Sequence, residues 1–185
     1  MAYAYVANNG ASTISKIDLS TFTTVGSALA VGTNPRFIAI DPTGTYAYVV
    51  NYGANTVSKI DLSTFTTVGS ALAVGTGPRF IAIDPTGTYA YVTNINDNTV
   101  SKIDLSTFTT VGSALAVGTN PLGIAIDATN TYAYVTNISA STVSKINLST
   151  FTTVGSALAV GANPLGIAIA PTPKTNSNFF AFMGA

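Results

Sequence analysis

The chain has 185 residues, of which 47% are hydrophobic, and its seven basic and seven acidic side chains give a net charge of zero. It contains no histidine, cysteine, tryptophan or glutamate. A neutral chain without a basic cluster lacks the electrostatic footprint of a nucleic-acid-binding protein, and no stretch is long and apolar enough to predict a membrane span. The missing residue types remove the commonest general base, the thiol nucleophile and the usual zinc ligands. We therefore expect no enzymatic activity and no cofactor.

The sequence repeats one unit of 43 residues four times. The segment SKIDLSTFTTVGSALAVG occurs without change at 15–32, 58–75 and 101–118, and returns at 144–161 with Asn147 in place of aspartate. A fixed period of this length is typical of repeat architectures, in which one supersecondary unit packs on the next. We expect one repeat domain over 1–174 and an apolar tail over 175–185. Met1 leads directly into the first copy, so no signal peptide is expected.

Each copy contains four short apolar segments separated by turn residues. In one copy these segments are RFIAI (79–83), TYAYVTN (88–94), TVSKIDL (99–105) and TVGSALAVG (110–118). Asp84-Pro85-Thr86-Gly87 predicts a tight reversal after the first segment, and the alternating side chains of the second predict a strand. Four strands per copy without helices indicate an all-β fold, a β-propeller of four-stranded antiparallel blades with four blades in the chain.

The second segment of each copy carries a more specific signal. The strings AYVTN at 90–94 and 133–137, AYVVN at 47–51 and AYVAN at 4–8 resemble the YVTN family of propeller repeats. The resemblance implies that the RFIAI-type strand is the innermost of each blade and that the strand ending in AVG is the outermost. It also implies a cell-surface or extracytoplasmic location. Because some larger relatives act as lactonases, it leaves a lactonase-like enzyme as a remote alternative.

The strand order at the two ends of the repeat region bears on how a ring could close. Ala2–Asn8 reads as a second strand without an inner strand before it, and LGIAIAP (165–171) reads as an inner strand without a partner after it. The terminal strand is expected to complete blade one, the velcro closure that removes open sheet edges. Small residues on the blade faces favour shallow rotation between blades. We therefore expect two chains to exchange these strands in an eight-bladed dimeric ring, with a self-closed four-bladed monomer as the alternative.

The tail is expected either to compete for blade one as a further strand, to plug or cover one end of the ring, or to present an apolar edge that drives assembly.

The copies differ most at the start of the inner strands. Two copies begin this strand with arginine and phenylalanine, where the others carry leucine and glycine; the residues are Arg36, Phe37, Arg79 and Phe80 against Leu122, Gly123, Leu165 and Gly166. Anion binding at the channel mouth is one hypothesis, and filling of the wedge between blades by phenylalanine is the other.

The loops between the second and third strands also vary, and they share one face of the propeller. Loops on a rigid scaffold are where recognition often evolves, so Tyr52, Ile95, Asp97 and Ile138 are candidate contacts for a protein or small-molecule ligand. Neutral drift in surface loops explains the same differences.

Two repeated charge patterns have simpler structural explanations. Asp41, Asp84 and Asp127 could face a cation, but aspartate before a turn is the more economical explanation. The Lys-x-Asp pairs, such as Lys102 and Asp104, place two solvated charges on one strand face. The sequence therefore favours a non-catalytic structural or self-assembling propeller protein, with a ligand- or protein-binding module as the alternative.

Overall fold

The computed structural model describes residues 2–170, which form four antiparallel β-sheets in succession along the chain. These residues contain no helix. The all-β fold with four propeller blades is thereby confirmed. The predicted tail over 175–185 lies outside the described residues.

The first two blades contain nine strands, counted in chain order. Blade one consists of β1 (Tyr3–Asn8), β2 (Thr13–Asp18), β3 (Thr23–Thr24) and β4 (Leu29–Ala30). Blade two consists of β5 (Pro35–Ile40), β6 (Tyr46–Asn51), β7 (Thr56–Asp61), β8 (Thr66–Thr67) and β9 (Leu72–Ala73).

The last two blades repeat the pattern of blade two. Blade three consists of β10 (Pro78–Ile83), β11 (Tyr89–Asn94), β12 (Thr99–Asp104), β13 (Thr109–Thr110) and β14 (Leu115–Ala116). Blade four consists of β15 (Pro121–Ile126), β16 (Tyr132–Asn137), β17 (Thr142–Asn147), β18 (Thr152–Thr153) and β19 (Leu158–Ala159).

Within a complete blade, the inner strand pairs with the second strand and the second with the third. In blade three, Ile81 lies opposite Val92, and Tyr91 lies opposite Lys102. Blade one lacks an inner strand among the described residues, so its sheet begins at β1.

The fourth strand of each blade differs from the continuous strand predicted over 110–118. It consists of two separate pieces, β13 and β14, which both pair with β12. The chain leaves the sheet between them because Gly112 adopts a φ of +64°, a backbone conformation that glycine tolerates best. The outermost edge of each blade is therefore interrupted, which is one way in which sheets avoid pairing with foreign strands.

Aspartates hold two turns of the repeat. The Asp84 carboxylate accepts hydrogen bonds from the backbone N–H groups of Thr88 (2.8 Å) and Tyr89 (3.2 Å). After the third strand, Asp104 Oδ1 accepts from the backbone N–H of Ser106 at 2.9 Å and from its hydroxyl at 2.6 Å. These bonds stabilise the charged form, and the Ser106 hydroxyl contributes most to holding the pKa of Asp104 below its usual range.

The hydrophobic core consists of three similar clusters, each between two neighbouring blades. Successive side chains of a second strand point to opposite sides of the sheet, so each blade has two apolar faces. We call the face that carries Tyr48 and its equivalents the tyrosine face, and the face that carries Ala47 and its equivalents the alanine face. The tyrosine face of one blade packs against the alanine face of the next, as Tyr48 of blade two does against Ala90 and Val92 of blade three.

A lysine extends across each of two internal interfaces. Lys102 Nζ lies 3.9 Å from the centre of the Tyr89 ring and donates to the Leu148 carbonyl of the next blade at 3.4 Å. The ring of Phe151, also from the next blade, lies 5.8 Å from the same ammonium. Lys59 repeats the carbonyl contact with Leu105 at 3.3 Å. Lys102 is only 9% exposed, so the prediction of two solvated charges in the Lys102–Asp104 pair is wrong for this lysine, and its burial lowers its pKa.

Candidate functional site

The alanine face of blade one is uncovered among the described residues. Val6 is 43% exposed, whereas its equivalent Val49 in blade two is fully buried at 0%. Phe22, on the same face, is 81% exposed, although the equivalent Phe65 is half-buried against blade one. Large apolar side chains whose equivalents are buried or half-buried at the internal interfaces are therefore open to solvent here.

The tyrosine face of blade four is uncovered in the same way. Leu158 is 68% exposed, whereas its equivalent Leu115 is half-buried against blade four. Lys145 Nζ lies 3.7 Å from the centre of the Tyr132 ring, as in the other blades. In residues 2–170, however, no leucine carbonyl and no further phenylalanine meets this ammonium from a following blade.

The segment after blade four lies where the inner strand of another blade would begin. The Thr136 hydroxyl donates to the Leu165 carbonyl at 3.0 Å, as the Thr93 hydroxyl donates to the Leu122 carbonyl at 2.8 Å between blades three and four. A Cβ added to Gly123 would stand 2.5 Å from the Leu165 carbonyl oxygen, so this glycine permits the close approach. Residues 161–170 are thus placed against blade four by specific contacts.

The terminal strand predicted over 165–171 is not formed in the part of the chain that the structure describes. Residues 161–170 carry no strand, and β1 pairs only with β2, so the velcro closure onto blade one of the same chain is absent there. The reason is geometric, because inner strands β5, β10 and β15 pack side by side in chain order and leave β1 and the terminal segment at opposite ends of an open arc.

The structure brings three of the predicted binding residues together. The guanidinium carbon of Arg36 lies 5.1 Å from the centre of the Tyr52 ring, and that of Arg79 lies 5.6 Å from it. The two phenylalanines next to these arginines, Phe37 and Phe80, contact each other with ring centres 4.4 Å apart. We call Arg36, Tyr52 and Arg79 the arginine–tyrosine cluster.

The remaining predicted loop residues lie outside this cluster. Ile95 donates its backbone N–H to the Gly77 carbonyl, and Ile138 donates to Asn120, both at 3.0 Å. The Asp97 carboxylate accepts from the backbone N–H of Thr76 and forms no ion pair with an arginine in the described range. These contacts anchor the loops to the segments before the inner strands.

The three aspartates predicted either to face a cation or to start turns have turn-forming contacts. Asp41 and Asp127 accept the same backbone hydrogen bonds as Asp84, at 2.8 Å from Thr45 and 2.8 Å from Thr131. Across residues 2–170, no three acidic side chains come together as metal ligands.

Sequence reasoning missed the two threonines that bind the inner strands. Thr93 and Thr136 stand where the first two copies carry Ala7 and Val50. This difference among the copies is the sequence feature from which the two threonines could have been identified. None of the segments in 2–170 is a helix that could cross a membrane.

Comparisons with known proteins support the fold. No protein-family model matches the sequence, and no curated protein matches it. The structure is similar to Kuenenia stuttgartiensis hydrazine synthase, with a TM-score of 0.79, 21% identity, and coverage of 87% of this chain and 47% of the other. It is also similar to a functionally unknown protein from Desulfotomaculum acetoxidans, with a TM-score of 0.73, 19% identity, and coverage of 91% and 57%.

A third solved structure, a 6-phosphogluconolactonase-like protein from Bacteroides uniformis, aligns with a TM-score of 0.74, 16% identity, and coverage of 87% of this chain and 52% of the other. The chain spans about half the length of the solved structures it matches. At these identities the likeness shows a β-propeller-like fold.

Proposed function

We propose that the chain is a non-catalytic, self-assembling propeller protein of the YVTN type, in which two copies pack head to tail into an eight-bladed ring. The tyrosine face of blade four in each copy covers the alanine face of blade one in the other. The observation that carries the proposal is the simultaneous exposure of these two faces, whose equivalents are buried against each other at all three internal interfaces.

The internal blades supply the strand register of this contact. In blade four, Ile124 lies opposite Val135 and Ala125 lies opposite Tyr134. One repeat further along, Ile167 would lie opposite Val6 of the second copy, and Ala168 opposite Tyr5. Such pairing would give β1 an inner strand and would satisfy the backbone groups of residues 165–170.

The same reasoning assigns partners to Lys145. At two of the three internal interfaces, the equivalent lysine meets both a leucine carbonyl and a phenylalanine ring of the next blade. In the ring, Lys145 would meet the Leu19 carbonyl and the Phe22 ring of the second copy. An ammonium over an aromatic ring contributes about 0.5–1 kcal/mol at an exposed site and more when it is desolvated.

Hydrophobic burial supplies most of the expected binding energy. Covering a large aliphatic or aromatic side chain contributes roughly 1.5–3 kcal/mol, and each contact would cover Phe22 from one copy and Leu158 from the other. Closure forms two equal contacts at once, and the second is intramolecular, so it adds affinity without a further loss of translational freedom. The match of this chain to about half of larger propellers supports closure by two copies.

A non-catalytic role is supported by the absence of histidine, cysteine and glutamate, which leaves no ordinary nucleophile–base pair. The likeness to a lactonase-like structure is a likeness of fold, and fold does not confer activity. A binding module is the second candidate function, and the arginine–tyrosine cluster favours it.

The solution mass tests the proposal. We expect a particle of twice the 18.8 kDa chain mass by light scattering or sedimentation. Phe22→Ser and Leu158→Ser, which alter the two open faces, should each shift the equilibrium to single chains without unfolding the blades. Val111→Ser is the matched control, since Val111 is also an exposed apolar residue but belongs to neither open face. A single chain at every concentration would refute the ring.

A further inference from the structure

The arginine–tyrosine cluster carries two positive charges that no acidic side chain neutralises. Arg36 is exposed and Arg79 is half-buried, and within residues 2–170 neither guanidinium has an ion pair or a hydrogen bond. Both contact the ring of Tyr52, a loop residue of blade two, although Arg79 belongs to blade three. The cluster thus spans the boundary between two blades.

We propose that Arg36, Tyr52 and Arg79 form a binding site for a phosphate group, either free inorganic phosphate or the terminal group of an organic phosphomonoester. Guanidinium is the side chain best suited to this ligand, since its planar N–H groups match two oxygens of a phosphate. Two guanidiniums balance the charge of a phosphate dianion, and no described carboxylate competes for them.

The Tyr52 ring would position both guanidinium groups before the phosphate binds. Arginine stacked on an aromatic ring uses its face for the ring and leaves its N–H edge for hydrogen bonding. The ring itself is held by its loop, because the backbone N–H of Tyr52 donates to the Asn34 carbonyl at 3.0 Å and that of Gly53 donates to Thr33 at 3.1 Å. Side chains fixed before binding lose less conformational entropy when a ligand arrives.

The contact between Phe37 and Phe80 fixes the spacing of the two inner strands below the cluster. Their ring centres lie 4.4 Å apart, so β5 and β10 are held at one separation. Arg36 and Arg79 extend from the adjacent positions of these same strands. The distance between the two charged groups is therefore limited by packing as well as by the tyrosine.

The other half of the chain shows that the scaffold does not need these residues. At the equivalent positions, the arginines are replaced by Leu122 and Leu165, and the tyrosine by Ile95 and Ile138. Blade four nevertheless has the same strands as blade two, and its register differs only in lacking an equivalent of the Phe37–Val50 pair. The blade therefore forms with aliphatic residues at these positions as well, and the fold does not require the charge and aromaticity of the cluster.

The site does not depend on ring closure, because all three residues belong to one chain. It goes beyond the assembly proposed above, and a chain that remained single would still contain it.

The test is a titration of the full chain with inorganic phosphate at constant ionic strength, with chloride as the balancing anion and calorimetry or arginine side-chain NMR as the readout. We expect saturable binding by the wild-type chain. Arg36→Leu with Arg79→Leu, which introduces the residue that the other two copies carry at this position, should weaken binding by at least about tenfold while the fold is kept. Tyr52→Ile should weaken it less, because both charges remain.

A second ligand and a control variant test whether binding is specific for a phosphate group and for these arginines. Methyl phosphate should bind to the same arginines, and whichever of the two phosphates binds more tightly identifies the source of the group. Ile95→Ala, a substitution in the equivalent loop of blade three, is the matched control and should leave binding unchanged. Equal phosphate binding by the wild-type chain and the double arginine variant, or acetate binding as tight as that of phosphate, would overturn the proposal.

Discussion

Thr136 donates a hydrogen bond of 3.0 Å from its hydroxyl to the carbonyl oxygen of Leu165, which links the body of blade four to the segment that follows it. The equivalent bond between Thr93 and Leu122 joins two blades that both have complete sheets. The segment 161–170 is therefore already held like an inner strand, although no second strand pairs with it among the described residues.

Gly123→Ala tests the importance of this placement. The added methyl group would stand 2.5 Å from the Leu165 carbonyl oxygen, so the segment must move away. We expect faster hydrogen exchange in 161–170 and weaker association of chains by about tenfold or more, with the first three blades unchanged. Val111→Ala is the control, because Val111 is an exposed apolar residue of blade three that belongs neither to this segment nor to the open faces. Equal behaviour of the two variants would contradict the placement.

Engineered cysteines test the register of the proposed exchange. The natural chain has no cysteine, so Val6→Cys with Ile167→Cys introduces a single possible pair. Side chains directly opposite on neighbouring strands lie about 4.5–5.5 Å apart, close enough for a disulfide after a small adjustment. We expect disulfide-linked dimers on a non-reducing gel. Val6→Cys with Ala168→Cys places the thiols on opposite faces, and equally efficient cross-linking by this pair would exclude the register.

Acid stability should depend on the aspartate turns after the third strands. Hydrogen bonds, with that of the Ser20 or Ser63 hydroxyl contributing most, hold the pKa values of Asp18 and Asp61 below the ordinary 3.8. A carboxyl whose pKa is lower in the folded state stabilises the fold above 3.8, and this contribution is lost as the pH falls below that value. Changing Asp18, Asp61 and Asp104 to asparagine should therefore flatten the acid side of the stability profile measured by denaturant unfolding.

Blade four contains a natural control for this change. Asn147 occupies the same position, and its side-chain oxygen accepts from the backbone N–H of Ser149 at 3.0 Å and from the Ser149 hydroxyl at 2.8 Å. The triple variant should thus fold at neutral pH. An acid limb as steep as that of the wild-type chain would assign the pH dependence to other groups.

Alkaline stability should depend on the buried tyrosines. Burial raises the pKa of Tyr48 to about 12, and burial also raises the pKa of Tyr91 above the ordinary 10.0. Because the folded state holds these protons more tightly, the associated stability is present below pH 10 and is lost as the pH rises towards 12. Tyrosinate absorbance should therefore rise together with unfolding. Tyr48→Phe should reduce this loss, and ionisation of both tyrosines in the native state near pH 10 would contradict the prediction.

The blade could be predicted from the sequence because each 43-residue repeat contains the same four segments and the side chains along these segments alternate as in a strand. Tyr48 and Val50 pack towards one neighbour and Ala47 and Val49 towards the other, so a strand with apolar residues on both faces is required by burial. The interruption of the fourth strand was not predicted, since TVGSALAVG alternates well enough to read as continuous.

Some backbone conformations recur in every copy although the residue type does not predict them. Phe108 adopts a φ of +53°, which an aromatic residue seldom does. Its ring packs 6.0 Å from that of Tyr48 in the preceding blade. Phe22 of blade one adopts nearly the same φ, +54°, although its ring is 81% exposed, so the aspartate-anchored turn itself, rather than a neighbouring blade, accounts for this conformation.

The candidate sites were predictable residue by residue but not as arrangements. Arg36, Arg79 and Tyr52 each stand out as differences among the copies, yet their contact joins a loop of blade two to a strand of blade three. Whether the second-strand loop of one blade reaches the inner strand of the next depends on the rotation between blades, which the sequence does not specify.

Because the three interfaces between blades are nearly identical, little in the sequence restricts an inner strand to the second strand of its own blade. During folding, an inner strand can dock on the second strand of any blade, and an offset of one whole repeat leaves most local contacts unchanged because the copies differ at few positions. Kinetic partitioning among such offsets should make refolding slow and dependent on chain concentration. What distinguishes the correct arrangement is the number of apolar blade faces left uncovered, since each offset of one repeat leaves the faces of one further blade open to solvent.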